Sequence, residues 1–339
     1  MAGLAAAARA RELGAEPVVL EKGDRPGGSM LLSSGVIWRY RTVEDFQAEC
    51  PGGDPALQSV IVERLDEALE WLASFDAPVV DNTGNPQTIG QRFQPKTLTT
   101  ALARAAGHVQ LNHVLGTGPG TELEGPVVLA TGGFPVRLVR ERGLLLRANR
   151  WSEGDGLDFG LARGAETAGD LEEFYGRAMP APPARIEEQD FVSLSQLYGR
   201  FADVVAETGE ERFDGQPSWS ETDLVQAIAR WPNGRAWYRV HDNRLGEQVR
   251  DRTVAAMIHA ARAAGAVVEE ASPYTSVLVQ AGVTQTLGGL RIDERARVVG
   301  AENLYAAGAD VGGISSGGYS SGLAAALVFG RIAAEEALS

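Results

Sequence analysis

Gly3, Glu21 and the pair Gly27-Gly28 are the first residues whose types and spacing suggest chemistry. In a dinucleotide-binding βαβ unit the last glycine of G-x-G-x-x-G opens a helix. An acidic residue about 20 positions further on hydrogen-bonds a ribose hydroxyl. Met1-Ala2-Gly3 supplies the closing x-x-G, and Leu4 to Gly14 reads as an Ala-rich helix that stops at a glycine. Pro17 to Leu20 reads as a short buried strand that delivers Glu21. The stretch Arg25-Pro-Gly-Gly-Ser29 follows, where glycine lets backbone approach a ligand closely.

Three later stretches have the same character. Val127 to Phe134 reads VVLATGGF, a strand leaving a bare turn suited to backbone that passes a nucleotide. Leu304 to Asp310 reads LYAAGAD, a strand ending in small residues and a carboxylate that suits a sugar chain or pyrophosphate. Gly317 to Ala337 is a Gly/Ser loop that runs into a long helix of small residues. The start of such a helix presents unpaired N–H groups and a positive dipole end, a partner for developing negative charge.

The elements that must position these stretches follow from periodicity. Helices are expected over Thr42–Cys50, Ala56–Phe75, Lys96–Ala106, Gly156–Gly164, Asp251–Ala264 and Gly322–Leu338. Strands are expected over Val109–Val114, Pro126–Ala130, Tyr274–Gln280 and Asn303–Ala307, and GTGPGTELEG (Gly116–Gly125) reads as turns. From about Glu172 prolines and aromatics become dense, which marks a separate α+β lobe. The length of 339 residues suits two domains.

A net charge of −14 argues against nucleic acid as a partner. No apolar run approaches the ~18 residues of a membrane span, and no signal peptide is expected. The single cysteine, Cys50, cannot form an internal disulfide, so the expected location is cytoplasmic. Four scattered histidines and one cysteine offer no metal-ligand cluster.

With these stretches in this order, the chain resembles the FAD-binding flavoprotein family of fumarate reductases and succinate dehydrogenases. That family also holds the 3-ketosteroid Δ1-dehydrogenases. The resemblance rests on MAGLAAAARARELGAEPVVLEK, GGSMLLSSGVIW, VVLATGGF, GDGLDFGLARGAE, GEERF, QTLGGLRIDERARV and NLYAAGADVGG…GYSSGLAAALVFGRIAAEEA, and reaches from one end of the chain to the other. It implies an α/β fold: a Rossmann-like FAD-binding domain built from both chain ends (residues 1–170 and 273–339) around an inserted α+β cap domain (171–272). Carried over position by position, it implies that Gly3, Glu21, Gly28, Ser29, Ser33, Gly35, Ala130, Thr131, Gly132, Asp155, Asp310, Gly322 and Leu323 touch FAD.

The departures from the family pattern narrow the chemistry. Where fumarate reductases carry the histidine of H-T-x-G-G, this chain reads Gln285-Thr286-Leu287-Gly288-Gly289. Where they carry the arginine of R-x-G-G-N-A, it reads Gly318-Tyr319-Ser320-Ser321-Gly322. Both cations that clamp a dicarboxylate are missing. The ketosteroid enzymes instead place a tyrosine just before the last helix. By this resemblance Tyr319, with the N–H of Gly322 or Leu323, polarises a carbonyl oxygen and acidifies the neighbouring C–H. Tyr274 or Tyr198 then takes the proton while a hydride passes to or from flavin N5.

The expected function is therefore an FAD-dependent oxidoreductase. It would desaturate or reduce a C–C bond next to a carbonyl of a fairly apolar small molecule, with an electron acceptor that the sequence does not name. The alternatives are a fumarate-reductase-type dicarboxylate reductase, with Arg185, Arg200 or Arg212 replacing the lost cations, and a truncated non-catalytic remnant. A late reading frame or a truncation would account for the strand and two glycines expected before Met1-Ala2-Gly3. The expectation for this chain as given is weak FAD binding or none.

Overall fold

The structure, a computed structural model, describes residues 1–114, 123 and 125–339. The turn-rich stretch Gly116–Gly125 lies outside the described residues apart from Leu123 and Gly125. The chain forms two units: Met1–Val136 with Asn149–Glu173 and Gln285–Ser339, and Arg137–Ala148 with Phe174–Thr284.

In the first unit the helices include α1 (Ala2–Glu12), α2 (Pro55–Ala73), α3 (Pro95–Ala106), α4 (Asp155–Leu161) and α5 (Gly322–Ala337), with the expected short helix Val43–Glu49 before α2. The helix α2 begins where Asp54 accepts the Ala56 N–H at 2.9 Å, with Pro55 in the first turn. Its expected apolar stripe is buried at Leu57, Ile61, Leu65, Ala68, Leu69 and Leu72. Each large member contributes about 1.5–3 kcal/mol, and Leu65→Ala would cost about 2–5 kcal/mol. Small residues bring α1 and α5 into close contact: a Cβ on Gly330 would stand 2.7 Å from the Ala2 carbonyl oxygen. Arg9 seals that crossing with a 2.8 Å bond to Glu335.

Two short parallel pairs carry the glycine turns. Strand β1 (Val19–Leu20) pairs with β2 (Val109–Gln110), and β3 (Val127–Leu129) pairs with β4 (Leu304–Ala306). The strand expected over Val109–Val114 stops after two residues, and Asn112 has a φ of +57° that no continuing strand adopts. A three-stranded antiparallel sheet (Val36–Tyr40, Thr88–Phe93, Val79–Gly84) was not marked by periodicity. Its turn is set by Asn85, whose side chain accepts the N–H groups of Gln87 and Thr88 at 2.8 Å.

The second unit is built on a six-stranded sheet whose long member is Tyr274–Thr286 rather than Tyr274–Gln280. Arg235–His241 and Val268–Ala271 flank that strand antiparallel, Ala202–Ala206 pairs with Arg235–His241, and Leu145–Leu146 joins parallel. Strand alternation sends Tyr238 and Val240 into the core with helices Thr222–Arg230 and Val254–Ala263. Arg239 and His241 take the opposite face. No helix among the described residues is long and apolar enough to cross a membrane.

Candidate functional site

The first unit gathers the glycine turns along one continuous run. Gly3 lies in the first turn of α1, where an added Cβ would meet the Ala130 methyl at 3.3 Å. Glu21 leaves β1 with its N–H on the Gln110 carbonyl at 2.8 Å, and its carboxylate accepts the Gly23 N–H at 2.7 Å. Gly28 has a φ of +53° and opens a 3-10 turn. Ser33 closes that turn, donating to the Met30 carbonyl at 2.8 Å and accepting the Gly35 N–H at 3.0 Å. A side chain at Gly35 would collide with the Phe93 carbonyl.

Asp310, at the end of β4, is buried against the turn that follows β3. Its carboxylate accepts the Thr131 N–H, the Thr131 hydroxyl at 2.7 Å, and the Gly132 and Gly133 N–H groups at 3.2 Å each. Burial pushes its carboxyl above the ordinary value even against these donors. The LYAAGAD and VVLATGGF stretches therefore meet as one unit.

The segment Asn149–Gly156, of which the sequence had marked only Gly154 onward, is bonded to several of these loops. The Asn149 N–H donates to Ser29 Oγ at 3.0 Å, and the Gly156 N–H to Thr131 Oγ1 at 3.1 Å. Lys22 holds Asp155 at 2.9 Å and Glu153 at 2.7 Å. The carboxylates and hydrogen bonds leave the Lys22 ammonium more basic than usual although burial opposes this. Trp151 packs on Gly23, and its indole N–H is buried without a partner among the described residues. The role of Asn149 to Glu153 shows only in tertiary contacts.

At the start of α5, Ser321 caps the helix by accepting the Ala324 N–H at 3.3 Å, and Gly322 and Leu323 form the first turn. Gln285 lies directly against it: a Cβ on Gly322 would stand 2.0 Å from Gln285 Oε1. Beside them is a crevice of about 10 Å³, room for a single water, lined by Gln285, Thr286, Leu287, Gly308, Ser320 and Gly322 among others, none of them charged. Thr286 Oγ1 is buried there without a partner. Tyr319 is half-buried, its ring 5.5 Å from that of Trp38 and its carbonyl accepting the Tyr40 hydroxyl at 2.7 Å.

The two other tyrosines lie in the second unit and are not brought together. Tyr198 is fully buried with its hydroxyl on Gln196 at 2.9 Å and its ring against Tyr238, on the core face of the sheet. Tyr274 pairs with His241 on the opposite face, under the Arg239 guanidinium.

The glycines of this run allow close packing of the chain on itself: an added Cβ would meet Ala130 at Gly3, the Phe93 carbonyl at Gly35 and Gln285 at Gly322. The acid after β1, Gly3 at the N-terminus of α1, the turn after β3 and the capped start of α5 all belong to this unit. Trp151 Nε1 and Thr286 Oγ1 are buried polar atoms with no hydrogen-bond partner among the described residues. The narrow place is at Gly322, where Gln285 occupies the space next to the helix start.

The chain belongs to the family described as an FAD binding domain, whose family model matches residues 1–124 and 92–322. It is a member of a class of FAD-dependent oxidoreductases, and FAD is the cofactor of that class. Several solved structures share the fold. A flavocytochrome c3 fumarate reductase in its open conformation superposes with a TM-score of 0.71 at 21% identity, over 100% of this chain and 77% of that one. The 3-ketosteroid-delta4-(5alpha)-dehydrogenase of Rhodococcus jostii gives 0.69 at 17% identity, over 100% of this chain and 95% of that one. The 3-ketosteroid delta1-dehydrogenase of Sterolibacterium denitrificans gives 0.69 at 14% identity, over 98% and 97%. No curated protein matches the chain.

Proposed function

We propose that this protein oxidises, or in reverse reduces, a C–C bond adjacent to the carbonyl of a small, fairly apolar and uncharged or singly charged molecule. The observation that carries this reading is the uncharged start of α5. Gln285, not a cation, lies against Gly322, and no charged residue lines the crevice beside it. A dicarboxylate held beside that helix start would lose hydration with no cation in this lining to compensate. A ketone oxygen needs only neutral donors, and the structures with bound 4-androstene-3,17-dione and 1,4-androstadiene-3,17-dione share this fold.

FAD, when bound, supplies the two-electron acceptor. Gly3, Glu21, Gly28, Ser29, Ser33, Gly35, Ala130, Thr131, Gly132, Asp155 and Asp310 would hold it. Gly322 and Leu323 would direct the N-terminus of α5 toward negative charge. The Tyr319 hydroxyl and a backbone N–H of that first turn would polarise the substrate carbonyl. Tyr274, or Tyr198, would take the α proton. Of the two, Tyr274 has the more accessible side chain, half-buried where Tyr198 is enclosed. The partners are the small-molecule substrate and a separate electron acceptor. A lone buried thiol at Cys50, pushed up to about 12 by burial, supports a reducing, cytoplasmic setting.

The test is dye-coupled turnover of the FAD-supplemented chain with 4-androstene-3,17-dione and, separately, with succinate, beside a spectrum of the bound flavin. Turnover of the ketone alone is the expected result. Turnover of succinate alone would replace this reading with the dicarboxylate one, and a protein that stays colourless with added FAD would make this chain a non-catalytic remnant.

A further inference from the structure

We propose that the open face of the second unit's sheet, which includes Tyr274, carries a binding site for a small oxyanion, a carboxylate or phosphate group on a compact molecule. The site is a basin of about 300 Å³ whose lining includes Arg200, Arg212, Arg239 and Arg244 against Asp203 and Asp214. Such a concentration of guanidinium groups is local, since the whole chain carries a net charge of −14. A small ligand fits the volume.

The chain builds this basin from three fixed pieces. The turn Gly199–Phe201 projects Arg200. The Gly199 N–H donates to Glu221 Oε1 at 2.9 Å, and a side chain at Gly199 would run into Leu224 at 2.3 Å, so the turn has one position. Strand alternation on Arg235–His241 puts Arg239 and His241 on the basin face while Tyr238 and Val240 enter the core. The return from Ala202–Ala206 brings Arg212 and Phe213 back along that strand through the Val205–Arg212 bridge and the Phe213 N–H on the Val204 carbonyl at 3.0 Å.

The arginines divide by partner. Arg212 is neutralised by Asp203 at 3.1 Å and Arg244 by Glu247 at 3.2 Å. Arg200 and Arg239 have no carboxylate within ion-pair distance among the described residues. They stack instead near aromatic rings, Arg200 at 5.8 Å from the Phe201 centroid and Arg239 at 5.1 Å from that of Tyr274. Stacking leaves the N–H edges of a guanidinium available, and two such forks on one concave face are the geometry that planar oxyanions use. Asp214 brings one opposing carboxylate, which favours a singly charged group over a highly charged one.

The test is direct and needs no flavin. Sodium acetate and inorganic phosphate are titrated separately into the full chain at low ionic strength, with chloride as control, and read by calorimetry and tryptophan fluorescence. Saturable binding of one anion per chain is expected. Preference for acetate assigns a carboxylate ligand, and preference for phosphate assigns a phosphate ligand. Arg200→Gln with Arg239→Gln should weaken binding by at least about tenfold, while Arg212→Gln, whose cation is already paired, should change it by less than about threefold. Asp214→Asn should tighten it, a direction that damage to the fold would not produce. Absence of saturation below about 100 mM for both anions, or equal binding by the double variant, would overturn the proposal.

Discussion

The Asp310 carboxylate accepts the Thr131 hydroxyl at 2.7 Å and the Thr131 N–H as well, and so joins the ends of β4 and β3. Two glycine amides complete its shell. One side chain thereby fixes the turn on which a nucleotide would lie. Asp310→Ala should cost about 2–4 kcal/mol in urea unfolding, because three amides and a hydroxyl lose their acceptor inside the core. Asp310→Asn should cost less, since its amide oxygen still accepts, and FAD affinity should fall in both variants. Unchanged urea midpoints would show that the turn holds itself.

Gly322 and Gln285 should behave as a coupled pair. Gly322→Ala puts a methyl where Gln285 Oε1 stands at 2.0 Å, so it should destabilise by about 1–3 kcal/mol. Gln285→Ala should remove most of that penalty in the double variant and, alone, increase flavin binding by widening the crevice. A double-mutant cycle in thermal unfolding reads the first effect, and flavin absorbance after desalting reads the second. Additive costs would mean that the contact relaxes freely.

Tyr319→Phe should leave flavin absorbance intact and lower kcat by about 10²-fold for a ketone substrate, with little change in KM, if its hydroxyl acts on charge that develops in the transition state. A comparable rise in KM with kcat unchanged would make it a substrate-binding residue only. Tyr274→Phe and Tyr198→Phe, measured in parallel, separate the two candidates for the proton acceptor.

Glu221 should make the second unit sensitive to pH. Burial pushes its carboxyl up to about 7, against the lowering influence of the Arg177 and Arg200 guanidiniums and the Gly199 N–H. The neighbouring Tyr198 and Tyr238 hydroxyls are pushed up as well. A carboxyl whose folded value exceeds its unfolded one favours the folded state when protonated. Stability is therefore greatest below the unfolded value near 4.5 and falls as pH rises to about 7, by about 3 kcal/mol. Urea midpoints taken from pH 4.5 to 8 should show this decline, and Glu221→Gln should flatten it. An unchanged slope in that variant would assign the decline elsewhere.

Much of the first unit was legible because its signals are local. The acid after β1, the turn VVLATGGF, the end of LYAAGAD and the Gly/Ser loop before α5 each carry residue types that only a few backbone conformations require. The helix α2 was legible for a different reason, as its apolar stripe repeats with the helical period from Leu57 to Leu72. The strand begun at Val109 was overextended because Leu111 and Val114 keep it apolar after the pairing has ended, and pairing is a property of two segments.

The sequence by itself determined the flavoprotein class and the order of its glycine turns, and it puts Gln285 and Tyr319 where the resembled fumarate reductases carry cations. Those features are written in contiguous residues whose backbone demands are short-ranged. Only the tertiary structure decided that Lys22 grips Asp155 and Glu153, that Gln285 lies on Gly322, and that Tyr198 and Tyr274 take opposite faces of one sheet. It also decided which arginines pair and which remain available in the basin beside Arg239. These are relations between segments far apart in the chain. They are set by packing and electrostatics between side chains, which no local pattern encodes.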